Sequence, residues 1–383
     1  MKKTKYINIA IALLIASISA CDSSDMPIQH PDDYGYITFA AKTQIMTTRS
    51  NSYEDYNSSL HPTTMGVFGY HDIKQYDALT ATRATSPKAN PIFNNDIATY
   101  NAANGNWATN PLKPWDDYLG ASSFDFFAYM PQNSGATISR TATDTYTLAI
   151  PFAITNDEYI ISDTRQAPIV CAMPIHKENT TAGGNEFTFE RMINMQFDQT
   201  LTAYTLLFRL DTRMGTIRKF RIKKVEMSGY IPTSGTINRT YQWNGTEWTA
   251  TDISWSNINR QLVADNKIEI SNNASTTTDG SSQALEINTT KYSQWGNVIY
   301  TIPDNQFEPT FSVTYDIELT TEDGKTVTTR RNVTSDITLN KNNFSNLASA
   351  KTAMINPIRI LIQPRYLYVL ADDDAYTGHL LID

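Results

Sequence analysis

From Phe311 to Leu319 every odd-numbered residue is apolar and every even-numbered one polar: Phe311-Ser312-Val313-Thr314-Tyr315-Asp316-Ile317-Glu318-Leu319. Side chains of an extended chain point alternately to opposite faces, so this run predicts a strand with one buried and one wetted face. Tyr204, Leu206, Phe208 and Leu210 alternate in the same way. No long stretch carries a helical period, and Thr, Asn and Tyr are abundant, which points to β-structure with polar outer faces. Glu322-Asp323-Gly324 predicts a turn, with Val327 to Val333 returning as the partner strand. Asn244-Gly245 predicts a hairpin that sets Tyr241 and Trp243 against Glu247 and Trp248. Between Phe220-Arg221-Ile222 and Val225-Glu226-Met227 the alternation changes phase, which predicts a bulge.

A chain of 383 residues suggests two domains of ordinary size. The polar run from His176 to Asn185, holding Gly183-Gly184, is the best linker and divides residues 36–183 from 184–383. Turn signals at short intervals in both halves favour two antiparallel β-sandwiches over a barrel.

Residues 1–21 read as an export signal. Lys2, Lys3 and Lys5 precede an apolar stretch from Ile7 to Ala16, and the segment closes on Ile18-Ser19-Ala20-Cys21. The stretch is too short for a permanent span, which needs roughly 20 apolar residues, and it fits the core of a signal peptide. A cysteine after Ile-Ser-Ala marks a lipoprotein signal, with Cys21 acylated and left as the mature N-terminus; an ordinary secretory signal is the alternative. Palmitate-type chains contribute about 0.8 kcal/mol per buried methylene, enough for several together to anchor a protein. Residues 22–35, with Asp22-Ser23-Ser24-Asp25, Pro27 and Pro31, read as a tether.

Chemistry-bearing patterns are scarce. Of the 2 cysteines, only Cys171 remains beside the lipidated one, in the apolar run Pro168-Ile169-Val170-Cys171-Ala172-Met173, and it reads as a core residue. A net charge of −8 argues against nucleic acid as a partner. His30, His61, His71, His176 and His379 lack metal-ligand spacing. Asp116-Asp117 and Asp372-Asp373-Asp374 do not match a spaced calcium loop and read as turn and cap residues. We expect neither a cofactor nor an enzyme, although a glycosidase carboxylate pair has no sequence signature of its own.

The C-terminus carries Ile358-Arg359-Ile360-Leu361-Ile362, then Tyr366-Leu367-Tyr368-Val369-Leu370, then Leu380-Leu381-Ile382. Two readings fit. It is a closing core strand with a short tail, or residues 366–383 complete the sheet of a neighbouring molecule, with Tyr366, Tyr368, Leu370, Leu380 and Ile382 as the filling side chains.

The region from 36 to about 230 resembles the fimbrillins, the type V pilins of the Bacteroidota. Tyr36-Ile37-Thr38-Phe39 followed by Thr47-Thr48-Arg49 is similar to the family's first strand and its arginine processing point. Met65-Gly66-Val67-Phe68-Gly69-Tyr70 is similar to its next core strand. The most specific piece is the order Asn106-Trp107, Pro111-Leu112-Lys113-Pro114-Trp115, Phe124-Asp125-Phe126-Phe127-Ala128-Tyr129-Met130-Pro131. Met195-Gln196-Phe197-Asp198-Gln199-Thr200-Leu201 resembles the strand opening the second domain, although the family commonly has His-Ala-Leu at its end. Pro114 and Asp116 also depart from the commoner Tyr and Pro around Trp115.

This resemblance implies two transthyretin-like β-sandwiches and a pilus subunit that supports adhesion. It implies export as a lipoprotein to the outer membrane, cleavage after Arg49 by an arginine-specific surface protease, and entry into the fimbrium. The cut frees a first strand, with Tyr36, Ile37 and Phe39 as its apolar filling, and another subunit's strand takes its place. Arg83 is also cleavable but lies beyond the second strand, and a solvated loop arginine is the plain alternative for Arg49. Shaft, tip and anchor positions are all open. The rival reading is a surface lipoprotein that binds glycans for polysaccharide uptake, with Trp243, Trp248, Trp255 and Trp295 stacking on sugars. Against it, such aromatics fill cross-strand pairs in β-proteins.

Overall fold

The computed structural model describes residues 35–45, 52–55, 64–72, 91–142, 144–153, 170–179, 187, 190–212, 218–270, 272, 284–320, 323–339, 355–362, 366–370 and 377–381. Cys21, Arg49 and Ile382 lie outside these residues, as does Arg83. The described chain is nearly all strand, with one short 3-10 turn at Trp115–Tyr118. The all-β, sandwich-like architecture expected from the alternation is what forms.

The described residues form three sheets. The first has nine strands, ordered 175–178, 123–130, 64–71, 91–101, 106–109, 39–45, 193–199 and 170–172, with 52–55 attached to 39–45. Its path returns on itself, because Tyr129 and Met130 also pair with Cys171 and Val170. The second has eight strands, ordered 326–338, 308–320, 218–243, 145–153 and 137–142, with 248–250, 254–269 and 285–287 also bonded to 218–243. The third has five, ordered 293–301, 202–210, 355–362, 366–370 and 377–381. Among the described residues two pairings are parallel: 39–43 with 193–197, and 203–210 with 355–362.

The strand Arg218–Trp243 is the spine, 26 residues long. At about 3.3 Å per residue its contour is near 80 Å, long enough to serve several partners. Residues 218–230 pair with 308–319, and 234–242 pair with 145–153. Gly229 permits one of its bends, with φ +99° and an added Cβ falling 2.5 Å from the Glu308 carbonyl oxygen. Strands from both sides of residues 176–185 share sheets. Residues 137–153 belong to the spine's sheet, and 193–199 belongs with the first strand. Strand pairing is non-local, and a polar Gly-Gly run does not show which partner each strand will choose.

Local expectations fare better. The phase change after Ile222 is a bulge against 308–320, between Ile222 and Lys224. The Asn244-Gly245 hairpin forms, with Trp243 opposite Trp248 and Tyr241 opposite Ala250 rather than against Glu247. Asn244 Oδ1 accepts from the backbone N–H of Thr246 and Glu247, and Gly245 has φ +105°. In Phe311–Leu319 the apolar Phe311, Val313 and Tyr315 are buried as expected, but Ser312, expected on the wetted face, is buried with them. Register shifts beyond Tyr315 then leave Ile317 half-buried and bury Glu318.

Ser123–Met130 is buried along its whole length. Phe124, Phe126, Ala128 and Met130 enter the core of the first sheet. On its other face, Phe127 packs against Tyr146, Tyr241 and Trp248 at 5.4–6.3 Å between ring centroids. The strand is the wall shared by the two cores, which is why it reads as an almost unbroken apolar run.

Candidate assembly site

The first strand lies inside the nine-stranded sheet. Phe39–Thr43 pair in parallel with Ile193–Phe197, Phe39 opposes Trp107, and Lys42–Ile45 pair antiparallel with Ser52–Asp55. Ahead of it the chain is still held. Ile37 N–H donates to the Lys113 carbonyl at 2.8 Å, Trp115 N–H donates to the Gly35 carbonyl at 3.0 Å, and Tyr36 bridges Pro114.

The period of two decides what this strand buries. Ile37 and Phe39 are fully buried and Ala41 nearly so. Phe39 meets Phe93 and Phe126 edge-on, with centroids 5.7 and 6.0 Å apart. Burying an Ile and a Phe contributes about 1.5–3 kcal/mol each, and each aromatic pair adds about 0.5–1.5. Tyr36, expected to share this filling, is 53% exposed. It is one residue out of phase with Ile37 and Phe39, so its side chain points away from the core.

The trough beneath the strand is built mainly from aromatics. Trp107, Phe93 and Phe126 are fully buried, and Trp115 packs edge-to-face on Phe124 and Phe126 at 5.3 and 6.2 Å. Ile193, Met195 and Phe197 supply the far wall. Gly69 leaves room for this packing, since a Cβ there would sit 2.8 Å from the Phe93 ring. The connection 46–51, which carries Arg49, joins two strands that are paired to each other.

The far wall is bolted to the spine from behind. Buried Arg239 donates to the Cys171 carbonyl at 2.8 Å and forms an ion pair with Asp198. Tyr241 Oη donates to the Ala172 carbonyl at 3.0 Å. On the other side, Trp248 Nε1 donates to Asp125 Oδ1 at 2.7 Å, and His176 Nδ1 lies 2.7 Å from the same oxygen. The sequence reading missed both fastenings. Asp125, a carboxylate in the middle of an apolar run, was the available signal, because buried charges are paired.

Asp72 caps the adjacent turn. Burial disfavours its charge, but hydrogen bonds from Ser122, His71 and Ser123 outweigh that and hold its carboxyl below the ordinary range. Cys171 is fully buried in the strand 170–172, and burial pushes its thiol up to about 12. That suits a core residue and not a nucleophile. Asp116 and Asp117 sit in the first turn of the 3-10 segment.

The four tryptophans of the glycan reading are not surface platforms. Trp243, Trp248 and Trp295 are buried. Trp255 is half-buried, with Nε1 donating to the Thr200 carbonyl and its ring against Phe152. At the C-terminus, 366–370 pairs antiparallel with 359–362, and 377–381 pairs with 366–370, so Tyr366, Tyr368, Leu370 and Leu380 lie in a hairpin at the sheet's outer end.

No family model matches the chain, and no curated protein matches it. Solved structures do. The chain is similar to a fimbrial protein from Bacteroides vulgatus ATCC 8482, with TM-score 0.51 and 16% identity over 90% of this chain and 99% of that one. A candidate cell adhesion protein from Bacteroides uniformis ATCC 8492 aligns with TM-score 0.39 and 14% identity, over 90% and 97% of the two chains. Another, from Bacteroides ovatus ATCC 8483, aligns with TM-score 0.38 and 10% identity over 91% and 99%. With sandwich-like sheets and a buried first strand already in place, the chain has the fold of the Bacteroides vulgatus fimbrial protein, in agreement with its resemblance to the fimbrillins.

Proposed function

We propose that this chain is a fimbrillin-type structural subunit of a cell-surface pilus, supporting adhesion and assembled by protease-triggered strand exchange. The observation that carries the reading is a buried first strand whose connection to the next strand holds Arg49. Cys21 takes lipid and holds the unpolymerised subunit at the outer membrane. An arginine-specific surface protease cuts after Arg49, and residues 21–49 leave together with the lipid. The vacated trough then exposes apolar side chains and a row of unpaired N–H and C=O groups along 193–197. An incoming strand satisfies both at once, with main-chain bonds giving affinity and alternate side chains giving register.

The role is structural and non-enzymatic, and the partners are other pilus subunits. The fold shared with a fimbrial protein supports this, and the burial of Trp243, Trp248 and Trp295 weighs against the glycan reading. The test is trypsin-like cleavage of the purified chain. Wild type converts from monomer to SDS-resistant oligomers, and Arg49→Ala stays monomeric. Oligomers from Arg49→Ala at the wild-type rate refute the processing step.

A further inference from the structure

The first strand is bonded along both edges near its end. Lys42 stands opposite Gln196 on one edge and Asp55 on the other, and Thr43 stands between Phe197 and Glu54 in the same way. The neighbours differ in what holds them. The strand 193–199 is paired again behind, to 170–172, and 106–109 is backed by 98–101. Ser52–Asp55 has no such backing: among the described residues it pairs with 39–45 and with no other strand. Its place in the chain sharpens the contrast. A cut after Arg49 falls between the two strands of this pair, so 42–45 goes with the departing segment. Residues 52–55 stay with the subunit, joined through 56–63 to the strand 64–71.

We propose that Ser52–Asp55 is a latch: it stays on the cut subunit and pairs with the strand that a second copy of this chain brings in, on the edge opposite 193–197. The proposal rests on the strand-exchange reading and adds a second contact to it, whichever part of the next copy supplies the strand. Spacing argues for it. Neighbouring strands lie about 4.7–4.9 Å apart, so removing the one between them leaves 54–55 and 196–197 across a gap of about 10 Å. That gap holds one strand. An unpartnered strand also has backbone N–H and C=O groups to satisfy. An incoming strand that runs parallel to 193–197, as the resident does, meets 52–55 antiparallel and rebuilds the pairing now made with Lys42–Ile45.

The latch also explains why the cut comes first. In the uncut chain 42–45 and 52–55 are the two arms of one hairpin, and the short connection keeps each arm at high effective concentration for the other. Once the connection is cut, the same pairing joins two separate chains, and a competing strand can take it over. The incoming strand then gains main-chain bonds on both edges and not on 193–197 alone. Its withdrawal has to break both sets, so the latch acts on the rate of leaving more than on the encounter.

Amide hydrogen exchange at residues 52–55 reads the latch in the full chain before the cut, after it, and in the oligomer. The cut sample is stripped of the segment ending at Arg49 in urea and returned to buffer too dilute to assemble, with slow amides at 123–130 showing that its sheet survives. The expected result is slow exchange in the uncut chain, fast exchange in the stripped monomer, and slowing by about tenfold or more in the SDS-resistant oligomer. Slow exchange in the stripped monomer overturns the proposal, because 52–55 then pairs within its own chain. Fast exchange in the oligomer overturns the latch and leaves strand exchange standing. No oligomers from the cut parent chain overturn the strand-exchange reading itself. A second variant, Arg49→Ala with Asn57→Arg, moves the cut beyond the latch, so that 52–55 leaves with the first strand; the thermal midpoint of the uncut variant shows that it folds. Its oligomers come apart in SDS at a lower temperature than the parent's, and oligomers of unchanged resistance overturn the latch.

Discussion

Phe39→Ala separates the hold on the resident strand from the integrity of the trough. Phe39 is fully buried and makes edge contacts with Phe93 and Phe126 at 5.7 and 6.0 Å. Truncating a buried Phe costs about 3–5 kcal/mol, combining lost transfer energy with the cavity left behind. In the uncut chain this appears as a lower urea midpoint at an unchanged slope. After cleavage the sign of the effect on assembly reverses. The leaving strand is the mutated one, and the trough of Phe93, Phe126 and Trp107 is intact for the donor. If the whole loss falls on the leaving step, exchange accelerates by about two to three and a half decades, at 1.4 kcal/mol per decade. A partial share gives a smaller acceleration in the same direction. The assay follows SDS-resistant dimer with time after a short protease pulse. Phe126→Ala serves as the contrast, because it damages the trough for resident and donor alike and lowers stability without accelerating exchange. Slower assembly by Phe39→Ala, or a wild-type urea midpoint, refutes the assignment of Phe39 to the displaced strand.

Further outcomes follow from other parts of the structure. Gly66→Val is destabilising, because a Cβ at that position lies 2.4 Å from the Tyr129 ring; the thermal midpoint of the uncut chain reads it. Arg239→Met costs about 3 kcal/mol, as expected when one partner of a buried ion pair is removed, and a double-mutant cycle with Asp198→Asn recovers part of that loss. Asp72 has a depressed carboxyl, so its contribution is present above the ordinary carboxylate pKa of about 3.9 and is lost as pH falls through the lower folded value. Asp72→Asn therefore lowers the melting temperature near pH 6 and narrows its gap from wild type as the solution is acidified toward pH ~3. Native Cys171 resists a thiol reagent near pH 8, since burial holds it at about 12, and reacts fully once the chain is denatured.

What could be read from the sequence divides along the line between local and non-local physics. The bulge after Ile222 and the hairpin at Asn244-Gly245 are set by neighbours in sequence, and both were legible. The spine was not. Gly229, Pro232 and Gly235 look like strand breakers, yet Arg218–Trp243 runs through all three because its partner 254–269 absorbs the bends as register shifts. Distant pairing is hidden in the same way: the strand 193–199 finds its partner at 39–43, about 150 residues away.

In the first strand, Ile37 and Phe39 are buried and Tyr36 is exposed, a difference set by the parity of an extended chain and not by apolarity alone. Arg239 gave no warning, because a lone arginine in a polar strand has no pattern until its partners at 171 and 198 are brought to it.

The central claim is that the first strand and its lipid are removed together before assembly. N-terminal sequencing of the chain recovered from surface fibres tests it most directly. The account predicts a start at Ser50, directly after Arg49. A chain in the fibre that begins at a blocked Cys21, or at Ala84 after cleavage at Arg83, contradicts it.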